Sequence, residues 1–72
     1  MQAADVIAGR ISDGTYAPDA RLPGELELAA EFGCSRESVR EAIRVLRERG
    51  LVETVKGKGS FVIPPEERMP NP

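Results

Sequence analysis

The sequence predicts a mainly α-helical domain in which three helices precede a small β-hairpin, the arrangement known as a winged helix-turn-helix. Three observations lead to this prediction. Apolar residues recur at helical spacing in three segments of this 72-residue chain. A short glycine-containing turn joins the second and third segments, which is typical of a helix-turn-helix. Two short strand-like runs then flank a Lys-Gly-Lys-Gly turn, which predicts a hairpin.

The first helix is predicted over Ala3 to about Asp13, and Gly14 fits its C-terminal end. Val6, Ile7 and Ile11 fall on one face of this segment. Because residues three and four apart lie on the same side of a helix, this face is expected to pack against the rest of the domain.

A connector, Thr15–Gly24, leads into a short second helix, Glu25–Phe32. We expect Tyr16 and Leu22 to fix the connector to the core. The glutamates in the first turn of the helix complement the positive end of its dipole. Gly33 is then expected to end the helix in the left-handed conformation that favours glycine.

The third helix is predicted from about Arg36 to Arg49, and Ser35 is placed to accept a hydrogen bond from a backbone N–H of its first turn. The apolar face of this helix consists of Val39, Ala42, Ile43 and Leu46. A neighbouring face, within an arc of about 80°, carries Arg36, Arg40, Arg44 and Arg47. One face therefore packs and the next presents guanidinium groups outward, a pattern that favours a DNA-recognition helix.

The two strands of the hairpin are predicted over Leu51–Val55 and Ser60–Ile63, around the turn Lys56–Gly59. A hairpin in this position is the wing of a winged helix-turn-helix. The remaining residues, 64–72, include four prolines and little that could pack, which indicates a linker or a disordered tail. The predicted organisation is thus a DNA-binding domain over 1–63 and a proline-rich tail over 64–72.

The charge of the chain is divided unevenly, although its net value is only −2. Residues 1–34 contain two basic and six acidic side chains, whereas residues 35–61 contain seven basic and four acidic ones. Charges farther apart than about 8 Å are largely screened at physiological salt. The second region, with its local charge of +3, is therefore the candidate binding surface for a nucleic acid.

The composition argues against an enzyme and against a metal site. The chain has no histidine and one cysteine, and it offers no nucleophile–base pair. No catalytic residue, metal ligand or cofactor is therefore predicted. No apolar run is long enough to cross a membrane and no signal peptide begins the chain, so we expect a cytoplasmic protein without a membrane partner.

Three motifs in order resemble the GntR family of bacterial transcriptional regulators. Residues 16–42 read YAPDARLPGELELAAEFGCSRESVREA, against a family pattern of about Y-x-P-G-x-x-L-P-S-E-x-x-L-A-x-x-[FL]-G-V-S-R-x-T-V-R-x-A. Residues 50–52 read GLV and residues 57–62 read GKGSFV, where the family has G-L-[VI] and a wing ending G-x-G-[TS]-F-V. The resemblance covers roughly residues 3–63.

The resemblance implies that the chain belongs to a transcriptional regulator that binds double-stranded DNA sequence-specifically. The expected type of regulator is a repressor. Family members bind inverted-repeat operators as homodimers, so this chain is also expected to bind DNA as a homodimer. Its expected location is the bacterial nucleoid. They also carry a larger C-terminal domain that binds a small-molecule effector and dimerises. No such domain is present in this chain, so an effector would act only through a region outside it.

The chain departs from the family pattern at several positions. Asp19 replaces the usual glycine after Pro18, and Gly24 replaces a serine that would cap the second helix. Leu26 stands where many members have an arginine that reaches the DNA. That contact is either lost or replaced by an apolar one, unless Leu26, at helical spacing, is simply a core residue.

The candidate DNA-binding residues begin at the N-terminal end of the third helix, which is the end that enters the major groove. Arg36 and Arg40, one turn apart, are candidates for base edges or adjacent phosphates, since arginine donates to both. Ser35 and Ser38 can donate to phosphate oxygens. Glu37 is ambiguous, because it could accept from a cytosine amine, repel phosphate or orient an arginine.

In the wing, Lys56 and Lys58 are predicted to lie against the DNA backbone or near the minor groove, and Gly57 allows the tip to approach closely. From composition alone, solvated turn residues are an equal alternative for both lysines. Arg44 and Arg47 are interpreted as surface charge that pairs with nearby glutamates. The alternative function for the whole chain is a winged-helix module that binds a protein and no DNA.

Overall fold

The computed structural model describes residues 3–67, and it confirms the predicted fold class. The elements are α1 (Ala3–Ser12), α2 (Glu25–Phe32), α3 (Arg36–Glu48), β1 (Val52–Val55), β2 (Gly59–Val62) and a 3-10 turn (Pro65–Glu67). The two strands form an antiparallel sheet, with Val52 opposite Val62 and Val55 opposite Gly59. The predicted boundaries of the helices and strands differ from the observed ones by about one residue. None of the helices described is long and apolar enough to span a membrane.

The core lies where the three helices meet the base of the hairpin. α3 packs against α1, α2 and β1, so it is the central element of the domain. The largest fully buried side chains are Ile7, Leu28, Val39, Leu46, Val52 and Val62. They come from every helix and both strands, so the hydrophobic effect ties the wing to the helices rather than leaving it as a separate hairpin.

Local hydrogen bonds fix the turn between α2 and α3, and the sequence predicted the left-handed Gly33 and the Ser35 cap among these features. Gly33 adopts φ 65° and ψ 37°, a left-handed conformation that costs other residues energy. The Cys34 N–H donates to the Ala29 carbonyl over 3.0 Å, which satisfies an end carbonyl of α2. The Ser35 hydroxyl then accepts from the Ser38 N–H over 3.1 Å. The direction in which α3 leaves the turn is therefore set by its own sequence.

The connector is held to the domain by backbone hydrogen bonds as well as by the apolar contacts predicted from its sequence. Leu22 is buried and Tyr16 is half-buried against the core, as expected. In addition, the Leu22 N–H donates to the Ser60 carbonyl over 2.8 Å, and the Val62 N–H donates to the Ala20 carbonyl over 2.9 Å. An isolated antiparallel bridge joins Arg21 and Phe61. The connector thus runs along β2 as a third, irregular strand.

The departure from the family pattern at Asp19 has a backbone explanation. Asp19 has φ 66°, and it is the one non-glycine residue among those described with positive φ. Its N–H donates to the Val62 carbonyl over 2.9 Å, which holds the residue in this conformation. Glycine adopts such a conformation without a steric penalty, and aspartate tolerates it better than most residues. This requirement accounts for the glycine that is usual after Pro18.

The predicted tail begins with residues that the structure describes. Pro64 is buried, and the Glu67 N–H donates to the Pro64 carbonyl over 2.9 Å in the 3-10 turn. Residues 68–72 lie outside the described residues. The division into a 1–63 domain and a 64–72 tail therefore stays a prediction.

Candidate nucleic-acid interface

The N-terminal end of α3 is open to solvent, and the apolar face of the helix is buried in the core. Val39 and Leu46 are fully buried, and Arg36 and Arg40 project from the neighbouring face with more than half of their side-chain surface exposed. The Ser35 and Ser38 hydroxyls lie 3.1 Å apart at the start of the helix. The start of α3 therefore exposes two hydroxyls and two guanidinium groups, with Ser38 about 200° around the helix from both Arg36 and Arg40.

Glu25 connects the two arginines to the start of α2. The Arg40 Nε donates to both carboxylate oxygens of Glu25 over 3.1 Å, and an Arg36 terminal nitrogen lies 3.5 Å from the same carboxylate. All three side chains are partly exposed, so the pairs add little to stability. Their consequence is geometric, because one carboxylate holds two guanidinium groups close together. The position of Glu25 in the first turn of α2 predicts only an interaction with the helix dipole, whereas this contact depends on the packing of α2 against α3.

Arg44 pairs within its own helix, as expected from the sequence. Its guanidinium pairs with Glu41, and it donates to a Glu48 carboxylate oxygen over 2.7 Å. The hydrogen bond from Arg44 lowers the pKa of Glu41 below its ordinary value, so this carboxylate stays charged well below neutral pH. Arg47 differs from Arg44, since no ion pair within residues 3–67 involves it. The interpretation of Arg47 as one half of a surface pair is therefore wrong.

The wing carries its lysines at the tip. Lys56, Gly57 and Lys58 are exposed, and the Lys58 N–H donates to the Val55 carbonyl over 3.0 Å across the turn. Gly57 has φ 80°, a conformation that favours glycine. Arg21 fixes the tip from the connector, because its Nε donates to the Lys58 carbonyl over 2.8 Å. No local pattern in the sequence indicated this role for Arg21.

The close approach of Arg21 to the wing gives a stability prediction. Gly59 has φ 117°, and a Cβ atom there would lie 2.7 Å from the Arg21 Nε, whereas a Cβ at Gly57 would meet open space. We expect Gly59→Ala to destabilise the domain by about 1 kcal/mol more than Gly57→Ala, because both strain the backbone but only the first displaces Arg21. Thermal denaturation followed by circular dichroism measures the difference.

Arg21→Ala provides the control for this prediction. In an Arg21→Ala background the clash at position 59 is gone, so the two glycine substitutions should differ only through their backbone conformations. A contrary result would be the same difference in unfolding free energy between Gly59→Ala and Gly57→Ala with and without the Arg21 side chain. That result would mean that the close approach of Arg21 to position 59 does not affect stability.

The start of α2, the exposed side of α3 and the wing enclose a groove, which we call the arginine groove. Its volume is about 680 Å³. Its charged lining consists of Arg21, Arg36, Arg40, Arg47, Glu25 and Glu27. The four guanidinium groups and two carboxylates leave a local charge of +2, although the whole chain is acidic. A groove with this charge attracts a polyanion and repels a basic protein surface.

The predicted site residues divide into three places. Arg36 and Arg40 line the arginine groove itself. The next three, Ser35, Glu37 and Ser38, are exposed at the N-terminus of α3 but do not line the groove, and Ser38 lines a separate hollow with Phe32 and Cys34. The wing residues Lys56, Gly57 and Lys58 lie at the hairpin tip. No ion pair within the described residues involves Glu37, so its three possible roles stay open.

Leu26 is not a core residue, so that reading of the sequence is wrong. It leaves 67% of its surface exposed and lines the arginine groove. The inner face of α2 is occupied by Leu28 and Ala29, both buried. Two residues along a helix correspond to a rotation of about 200°, so Leu26 points away from the side of α2 that packs.

The sequence matches that of known regulators over most of its length. The model of the family described as "Bacterial regulatory proteins, gntR family" matches residues 1–62. HTH-type transcriptional regulator TreR of Bacillus subtilis is 42% identical over 57 residues, which are 79% of this chain and 24% of that protein. HTH-type transcriptional repressor NagR of the same organism is 44% identical over 57 residues, again 79% and 24%. The chain therefore spans about a quarter of the length of these relatives.

Solved structures with the same fold include domains bound to DNA. The N-terminal domain of AraR in complex with mutant ORR3 superimposes with a TM-score of 0.80 at 40% identity, covering 83% of this chain and 86% of that one. The AraR DNA-binding domain in complex with operator ORR3 gives a TM-score of 0.78 at 41% identity, covering 82% and 71%. Both similarities extend over the three helices and the wing.

Proposed function

The chain belongs to the GntR family of bacterial regulatory proteins and has the winged helix-turn-helix of its DNA-binding domains, and from this premise we propose that residues 1–63 bind the operator of a longer transcriptional regulator. The observation that carries the proposal is the arginine groove, where Arg36 and Arg40 converge at the N-terminal end of α3. The relatives include proteins named as repressors, so repression is the proposed outcome. Residues 64–72 would link this domain to the rest of the regulator.

In this proposal α3 enters the major groove with its N-terminal end first. Arg36 and Arg40 donate to guanine O6 and N7 or to the phosphates beside them. Ser35 and Ser38 donate to phosphate oxygens, assisted by the positive end of the helix dipole. Glu37 contacts a cytosine amine or orients an arginine.

The wing would contact the DNA next to the recognition helix. Lys56 and Lys58 neutralise backbone phosphates, and the absence of a side chain at Gly57 lets the tip approach the minor groove. Arg21 would set the height of this tip through its hydrogen bond to the Lys58 carbonyl. The hairpin is also held by the connector and the core, so it is positioned before DNA is bound.

A regulator of this kind would act as a homodimer on an inverted repeat, because one module of this size makes few contacts with DNA. Two half-sites about one helical turn apart would each receive one copy of α3. The effector and most of the dimer interface would belong to the part of the regulator outside this chain. The cytoplasm, where the nucleoid lies, is the proposed location.

Binding of duplex DNA across a salt series tests the proposal against its alternative. Fluorescence anisotropy of a labelled duplex should show an affinity that falls linearly with salt on logarithmic axes, with a slope of about −0.9 for each phosphate neutralised. A winged-helix module that binds only proteins would bind no duplex. DNA affinity that is absent, or that does not fall as salt rises, would contradict the proposal.

A further inference from the structure

Leu26 is an apolar side chain in a groove whose charged lining is mainly arginine. It is 67% exposed in the first turn of α2, so folding buries little of its apolar surface. A single exposed leucine needs no special explanation on a protein surface. Its location distinguishes it, because it lies in the arginine groove with Arg36 and Arg40.

The ion pairs of Glu25 place the first turn of α2 beside the N-terminal end of α3. Glu25 directly precedes Leu26, and its carboxylate lies 3.1 Å from the Arg40 Nε and 3.5 Å from an Arg36 terminal nitrogen. In a helix-turn-helix on DNA the first helix crosses the backbone while the second enters the major groove. A duplex that reaches Arg36 and Arg40 therefore also comes close to Leu26.

The chemistry of leucine narrows what it could contact there. Leu26 has no donor or acceptor, so it cannot hydrogen-bond a base edge or a phosphate. The major-groove edge of a base pair offers one prominent apolar group, the 5-methyl group of thymine. Contact between this methyl group and Leu26 removes apolar surface of both from water, which is favourable.

We propose that Leu26 is a specificity-determining residue that contacts the 5-methyl group of a thymine beside the bases reached by Arg36 and Arg40. This inference rests on the proposed function, since it requires the arginine groove to face the major groove. It assigns Leu26 a contribution to sequence preference that does not depend on charge. Removal of its side chain should therefore change base preference and leave the salt dependence of binding unchanged.

Deoxyuridine provides the test, because it lacks the 5-methyl group and pairs as thymidine does. A duplex enriched by this chain from a randomised library is resynthesised with each thymidine of a half-site replaced in turn. We expect one replacement to weaken binding of the wild-type chain by about three- to fivefold, the effect of leaving one methyl-sized group without its contact. The Leu26→Ala variant should bind the thymidine and deoxyuridine duplexes equally well.

Val55→Ala is the matched control. Val55 is the other exposed large apolar residue among those described, at 38% exposure, and this variant should keep the full sensitivity to the methyl group. Circular dichroism verifies that both variants are folded. The inference is overturned if the wild-type chain tolerates every deoxyuridine, or if Leu26→Ala remains as sensitive as the wild type. If salt-dependent binding persists in either case, the proposed function stands; if no duplex is enriched, both fail.

Discussion

Leu46→Ala is expected to lower the free energy of unfolding by about 2–5 kcal/mol, the range measured when a buried leucine is truncated. Leu46 is 0% exposed, and it lies on α3, which contacts both other helices and β1. The substitution removes apolar contacts and leaves a cavity that the surrounding elements cannot fill without moving. A core in a domain of this size supplies only about 3–5 kcal/mol of stability, so the substitution should remove a large part of it. Urea denaturation followed by circular dichroism measures the loss.

Leu26→Ala makes the same chemical change on the surface and is the control for this prediction. Because Leu26 is 67% exposed, its truncation should change the free energy of unfolding by no more than about 0.5 kcal/mol. The contrast between the two variants depends on burial alone. Similar losses at the two positions would mean that the core is arranged differently from the one described.

The elements that could be predicted from the sequence are those determined by neighbouring residues. The apolar spacing of α3 predicted its buried face, and the pair Gly33 and Ser35 predicted both ends of the turn between α2 and α3. Each of these features depends on residues within about four positions of one another, so a linear pattern contains the information. The hairpin was predicted for the same reason, since its glycine turn lies between its two strands.

The contacts that escaped prediction join residues distant in the sequence. Glu25 and Arg40 are separated by 15 positions, and Arg21 and Lys58 by 37. Local spacing allowed Arg40 to pair with glutamates of its own helix, and only the packing of α2 on α3 brings Glu25 closer. The exposure of Leu26 is instead a local property, because Leu26 lies about 200° around α2 from the buried Leu28.

Arg36→Ala and Arg40→Ala are each expected to weaken binding to the preferred duplex by about 1–3 kcal/mol, or about 5- to 150-fold, if each arginine reads a base. Both side chains lie at the end of α3 that enters the major groove and are held together by Glu25. Arg44→Ala removes the same charge two turns along from Arg36. Because Arg44 is already paired with Glu41 and Glu48, its loss should cost much less. Fluorescence anisotropy at one fixed salt concentration compares the three variants.

The way in which affinity is lost distinguishes base reading from charge neutralisation. An arginine that only neutralises a phosphate should weaken binding to all sequences alike and reduce the salt slope by about 1 when it is removed. One that donates to a guanine should relax the preference at a single base pair instead. Equal losses for Arg36→Ala, Arg40→Ala and Arg44→Ala, on preferred and random duplexes alike, would mean that α3 acts as a uniform basic surface. The Glu25 contacts would then hold two guanidinium groups together without any consequence for sequence recognition.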